Sequence, residues 1–189
     1  MTDVTVPTHL EIRHKFATIS VNLTMRSKNG VKLFGVRCPS LRLKKRAEIW
    51  TLNGKPEMAL WMCPVWGMSW NVQVNRPTDE ILGVVQREKN EQTGATEWVA
   101  MDAFGNAKLQ VRTVGDFLDR LKTRVMLFST REEKIYSGDR FLGTFVTRAG
   151  VVHERYYVDL APEASTVVDP LLMLATIATL SGIFNRLFT

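Results

Sequence analysis

The sequence predicts a mainly β (α+β) protein: a closed antiparallel barrel of about twelve strands around a hydrophobic C-terminal helix, with one short surface helix. Three observations carry this. Short runs of alternating apolar and polar residues recur along the body of the chain, separated by turn-forming Gly, Asn, Asp and Pro. Regular short strands of that kind belong to sandwiches and barrels. The stretch from Pro170 to Phe184 (PLLMLATIATLSGIF) has no charged residue and is apolar on every side, so a helix formed from it needs cover all round. A barrel with so many strands is also wider inside than its own side chains fill. The helix that must be covered and the barrel that must be filled resolve one another.

Each element follows from local pattern. His9–Arg13 and Thr18–Met25 are strands rich in Ile, Val, Leu and Thr. Asn29-Gly30 supplies the positive backbone angles of a tight hairpin, and Val31–Arg37 returns as a strand. Ser40–Arg46 continues, with Leu41 and Leu43 alternating against Arg42 and Lys44. Ala47–Leu52 runs into a second turn of the same kind at Asn53-Gly54, and Glu57–Cys63 follows. Met68–Val74 puts Met68, Trp70, Val72 and Val74 on one face. Arg76-Pro77-Thr78-Asp79 breaks the pattern and Glu80–Arg87 resumes it. Gly83 inside that strand marks a close backbone approach or a bulge. After the polar loop Asn90–Gly94 come the strand Thr96–Met101, a turn at Asp102–Asn106 and the strand Lys108–Arg112.

Val114–Arg124 sets Val114, Phe117, Leu118 and Leu121 at helical spacing, which predicts the short surface helix. Strands resume at Val125–Ser129, Lys134–Tyr136, Phe141–Arg148 and Val151–Leu160, and Ala161–Val168 is a connector. Asp169 caps the final helix and Pro170 occupies its first turn, where proline is tolerated. That helix is expected to run over about 169–187.

Length decides between a core helix and a membrane helix. Spanning a bilayer takes about 20 apolar residues, and this segment is interrupted by Asn185 and Arg186. Its small residues Ala175, Ala178, Thr179 and Gly182 share one side, which suits a narrow enclosure but also occurs at membrane helix contacts. Burial is the reading favoured; insertion as a tail anchor is the alternative.

Composition bounds the rest. The chain has 189 residues, 45% hydrophobic and 23% charged, so it is long enough for a core and too apolar for wholesale disorder. With no repeat, linker or low-complexity tract, it reads as one domain, 1–189. Cys38 and Cys63 are too few for a disulfide framework and read as buried thiols of a reducing compartment. The start has no basic leader followed by an apolar core, so a cytoplasmic location is expected. A formal net charge of +6 favours anionic partners.

Several runs resemble the Tubby C-terminal-like superfamily, which joins tubby-like proteins, phospholipid scramblases and LURP-one-related proteins. They are Ile49–Pro56 (IWTLNGKP), Glu80–Arg87 (EILGVVQR), Arg140–Arg148 (RFLGTFVTR), Tyr156–Leu160 (YYVDL) and Asp169–Ala175 (DPLLMLA). The likeness is to the LURP-one-related and scramblase-like side and covers most of the chain. It implies a closed barrel of about twelve strands around a central C-terminal helix. In function it implies a non-enzymatic binding or scaffold protein, since some tubby-like members bind phosphoinositides through basic surface residues. The alternative it carries is a membrane-inserted, scramblase-like protein. This chain lacks the proline-rich and cysteine-rich preludes expected of a scramblase.

The residues themselves offer one candidate site. Arg42, Lys44 and Arg46 project from one face of a strand, opposite Leu41, Leu43 and Lys45, where they could receive the phosphates of a lipid headgroup, with the membrane as a peripheral partner, or of nucleic acid. An ordinary solvated exterior is the competing explanation. Asp159, Glu163 and Asp169 lack the closely alternating acids of a calcium loop. His9, His14 and His153 have no metal-ligand spacing, and no cysteine or serine lies in a nucleophile motif. No catalytic residue, metal or cofactor is therefore expected. The five tryptophans, at 50, 61, 66, 70 and 98, read as core anchors rather than as base-stacking platforms, which makes nucleic acid an improbable partner.

Overall fold

The computed structural model of the chain describes residues 4–15, 21–38, 46–52, 54–65, 71–89, 96–113, 130–149 and 154–182. Twelve strands run in chain order: β1 His9–Lys15, β2 Val21–Arg26, β3 Lys32–Cys38, β4 Ala47–Thr51, β5 Glu57–Pro64 and β6 Asn71–Asn75. They continue as β7 Ile81–Lys89, β8 Thr96–Asp102, β9 Ala107–Thr113, β10 Thr130–Ser137, β11 Arg140–Ala149 and β12 Glu154–Leu160. Each strand pairs antiparallel with its neighbours in sequence, and β1 pairs with β12, so the sheet closes without an edge. Two helices follow, α1 Ala164–Val167 and α2 Pro170–Leu180.

Alternation explains which side chains fill the barrel. Leu10 and Ile12 of β1, Phe34 and Val36 of β3, and Val72 and Val74 of β6 point inward and are buried, whereas Arg13 and Arg37 face out. These inward groups form one cluster with α2, every residue of which from Leu171 to Thr179 is buried. The helix packs against β5, β6, β7 and β8. Its hydroxyls would be costly in an apolar core without partners. Thr176 donates to the Leu172 carbonyl at 2.8 Å, Thr179 to Ala175 at 2.9 Å and Ser181 to Ile177 at 2.8 Å, so all three are satisfied within the helix.

The cap expected at Asp169 is present: its Oδ1 accepts from the Leu171 amide at 2.8 Å, with Pro170 in the first turn. The other end differs from expectation. The helix stops at Leu180, because Gly182 turns left-handed (φ 76°) and its amide bonds back to the Thr179 carbonyl. Residues 183–189, like the surface helix expected at 114–124, lie outside the described residues. The connector expected at 161–168 contains α1, whose turn is held by the Glu163 carbonyl accepting from Thr166 and Val167.

One device recurs at the rim where α2 enters. Five successive hairpins each carry a register shift shortly after their turn: β2–β3, β4–β5, β6–β7, β8–β9 and β10–β11. The residues left without a partner are Leu33, Ala59, Leu82, Lys108 and Leu142. A bulge bends its strand and sharpens the local twist, and a regular set of them curls a wide sheet around its filling. In two cases the bulged leucine is followed by glycine. A Cβ on Gly83 would stand 2.0 Å from the Met101 carbonyl oxygen, and one on Gly143 2.2 Å from that of Asp159. Gly83 thus combines the close approach and the adjacent bulge its position in a strand implied.

The helix is short as well as enclosed. Eleven residues make a rod of about 16 Å, roughly half the hydrocarbon thickness of a bilayer. Among the described residues no helix is long and apolar enough to cross a membrane.

Candidate functional site

Since α2 fills the barrel, groups available to a partner lie on its outer wall and rims. Of the three cations singled out by sequence, Arg42 and Lys44 lie outside the described residues. Arg46 precedes β4 and its guanidinium is already engaged. It lies 4.4 Å over the Trp61 ring, with Nε 3.4 Å from Glu48 Oε1 and Nη2 donating to Met58 Sδ at 3.6 Å. A guanidinium stacked and paired in this way presents less of its fork to a phosphate than a free one.

The same patch corrects the reading of two tryptophans. Trp61 lies between the inward-facing Leu60 and Met62 and therefore points outward, half-buried under Arg46. Its indole donates to Asp79 Oδ1 at 3.1 Å, while Trp50 donates to Glu48 Oε2 at 3.4 Å. Both are wall residues with polar handles, not core anchors. Trp98 does pack against the core, and Trp66 and Trp70 are outside the described residues.

A second basic cluster arises only when the barrel closes. Arg148 of β11 stands directly opposite Arg155 of β12, and Arg155 directly opposite Arg13 of β1. All three are exposed on the outer wall, flanked by the buried inward residues Ile12 and Tyr156. Directly opposed residues sit about 5 Å apart at Cα, so the row spans about 10 Å across three strands. Like charges set opposite one another on a sheet destabilise it by up to about 1 kcal/mol per pair.

Neutralisation within the row is partial. Arg13 makes a two-pronged pair with Glu11, Nε to Oε1 and Nη2 to Oε2, both at 2.9 Å. The hydrogen bond from Arg13 holds the Glu11 carboxyl below its usual value, assisted by the charges of Arg13, Arg155 and Arg26. Arg148 rests 4.9 Å over the Tyr157 ring. Arg155, at the centre, has no hydrogen bond or ion pair among the described residues.

Other charged groups are committed to the frame. Arg76 joins the Asp169 cap at 3.5 Å and Glu80 at 3.3 Å, and Arg140 donates to Glu163 at 3.2 Å, fixing the entry of α2. At the opposite rim Glu133 is buried. Burial pushes its carboxyl up, against the pull of Arg131, which donates to it at 2.6 Å. His9 pairs with Asp159. At Asp102 burial opposes ionisation, yet donors from Asn106, Lys108 and Phe104 outweigh it and hold the carboxyl at about 2. That turn presents Phe104 at its tip, 89% exposed. Cys38 is buried, as expected, and its Sγ donates to the Arg46 carbonyl at 3.5 Å, whereas Cys63 is only half-buried. The acids Asp159, Glu163 and Asp169 each have one of these structural partners, and among the described residues no three His, Cys, Asp or Glu side chains converge as metal ligands.

Comparison with known proteins gives a likeness of fold. No family model matches the sequence, and no curated protein matches it either. The architecture is similar to the X-ray structure of a protein from Arabidopsis thaliana, AT5G01750, with a TM-score of 0.53 and 15% identity. The match covers 97% of this chain and 93% of that one. At that identity the likeness is one of fold. The twelve-strand barrel with its enclosed helix is also the fold that the Tubby C-terminal-like resemblance implies.

Proposed function

We propose that this chain is a non-enzymatic binding or scaffold protein of the tubby and LURP-one-like type that docks to anionic phospholipid surfaces through its basic exterior. It acts in the cytoplasm and is peripheral to the membrane. The observation that carries the reading is where exposed charge lies: a net +6 chain keeps three arginines in line on its outer wall, with one carboxylate, Glu11, paired to them. A filled interior directs recognition outward, and summed positive potential concentrates a protein at an anionic membrane surface.

Flotation tests this. At low salt the full-length chain floats with vesicles containing phosphatidylserine and stays behind with pure phosphatidylcholine. The bound fraction falls steeply as salt is raised through the physiological range. Equal recovery on both vesicle types, or none on either, removes the reading.

A further inference from the structure

We propose that the rim where α2 enters is an interface for a second copy of this chain, docked head to tail against the basic opposite end of that copy. This goes beyond the membrane-docking reading and does not depend on it. The first observation is where exposed apolar groups lie. Among the described residues five large hydrophobic side chains are exposed, and four of them, Val31, Ile81, Phe104 and Phe141, sit in or beside the turns of this rim. Single apolar residues scattered over a surface need no explanation. Here the last three occupy consecutive hairpins, β6–β7, β8–β9 and β10–β11. The second observation is that the most exposed of them is held rigidly. Phe104, 89% exposed, tips a turn built around Asp102, whose Oδ1 accepts from the Phe104 and Asn106 amides, both at 2.9 Å. Its Oδ2 accepts from Asn106 Nδ2 at 3.1 Å and pairs with Lys108 at 3.2 Å. A fixed turn has little freedom left to lose on binding, so the ring it presents is a ready anchor.

Charge selects the occupant. Each cation of these three hairpins is engaged by an acid: Arg76 by Glu80 and Asp169, Lys108 by Asp102, and Arg140 by Glu163. Asp79 and Asp139 add further negative charge in the same turns. The surface around Phe104 is therefore acidic and repels an anionic bilayer. The whole chain is nevertheless +6, so its surplus positive charge lies away from these turns. At the opposite end Arg37 of β3 and Lys89 of β7 are exposed, and between them, after β5, stands Val65, the fifth exposed apolar side chain. An acidic apolar end and a basic end are complementary between copies, whereas two like ends repel. Such a contact is heterologous: it leaves one end of each copy free and propagates as an open chain.

Analytical ultracentrifugation of the full chain at low salt tests this. The average mass of the wild type is expected to rise with concentration and to pass that of a dimer, and to fall back as salt screens the contact. Phe104→Ser blocks one end and Arg37→Glu/Lys89→Glu the other, and each weakens association at least about tenfold. Mixing the two variants joins their intact ends, so the mixture forms a 1:1 dimer and nothing longer. Both variants change exposed side chains and keep the wild-type Tm within about 2 °C, which separates loss of contact from loss of fold. A wild type that stays monomeric at every concentration overturns the proposal. So does association that survives in both variants, or a mixture that stays monomeric. A lipid occupant is checked by flotation on pure phosphatidylcholine vesicles: recovery of the wild type that is lost in Phe104→Ser would assign the rim to a bilayer and overturn the head-to-tail contact.

Discussion

A chain ending at Asp169 does not fold: it aggregates or binds hydrophobic dyes, and it shows no cooperative melting transition. The five large apolar side chains Leu171, Leu172, Met173, Leu174 and Ile177 are all at most 9% exposed. Burying each contributes about 1.5–3 kcal/mol, which together reaches about 10 kcal/mol, the same order as the total stability of a typical domain. Removing them also uncovers the inward residues of β5 to β8, against which the helix packs. Ala175, Thr176, Ala178 and Thr179 let backbone and wall come close without leaving a void. A membrane-anchoring helix predicts the opposite result, a truncated barrel that stays soluble and melts cooperatively.

Gly143→Ala is the point substitution expected to cost most. The residue sits at φ 154°, next to the bulged Leu142, and a Cβ there meets the Asp159 carbonyl oxygen at 2.2 Å and the Leu160 Cα at 2.9 Å. Both obstacles are backbone of β12, which cannot rotate away as a side chain can. Strained backbone and overpacking together cost about 3 kcal/mol, a fall in Tm of about 6–12 °C for a chain of this size. Gly138→Ala is the control: φ is 58° but the space beside it is open, so only the left-handed penalty of about 1–2 kcal/mol applies. Equal losses at the two sites would show that the approach of β11 to β12 is looser than described.

Much of this fold is legible in the chain because its signals are local. Alternation in β1, β3 and β6, positive-φ glycines at Gly30 and Gly54, and the Asp169-Pro170 start of α2 all act within a few residues. The bulges are half legible. Gly83 stands out as an odd residue in a strand, whereas Ala59 and Lys108 leave no local mark, since a bulge depends on which residue the partner strand offers. The outward position of Trp61 is hidden in the sequence because β5 reads as a continuous apolar run, MALWMC, which masks period two.

The arginine row was not legible for a different reason. Arg42, Lys44 and Arg46 stand out because they are close in sequence, yet Arg46 is engaged with Glu48 and Trp61. Arg13 lies near the start of the chain and Arg155 near its end, and only pairing of β1 with β12 brings them together. A partial signal existed: Arg148 and Arg155 flank the 150–153 connection symmetrically, so a hairpin there already sets them opposite each other.

Hydrogen exchange of the α2 amides tests the enclosure most directly. A helix sealed inside the barrel opens only when the whole molecule does, so amides from Leu174 to Leu180 exchange as slowly as those at the centres of β11 and β12, and with the same denaturant dependence. Exchange of those amides within seconds while the two strands stay protected contradicts the architecture.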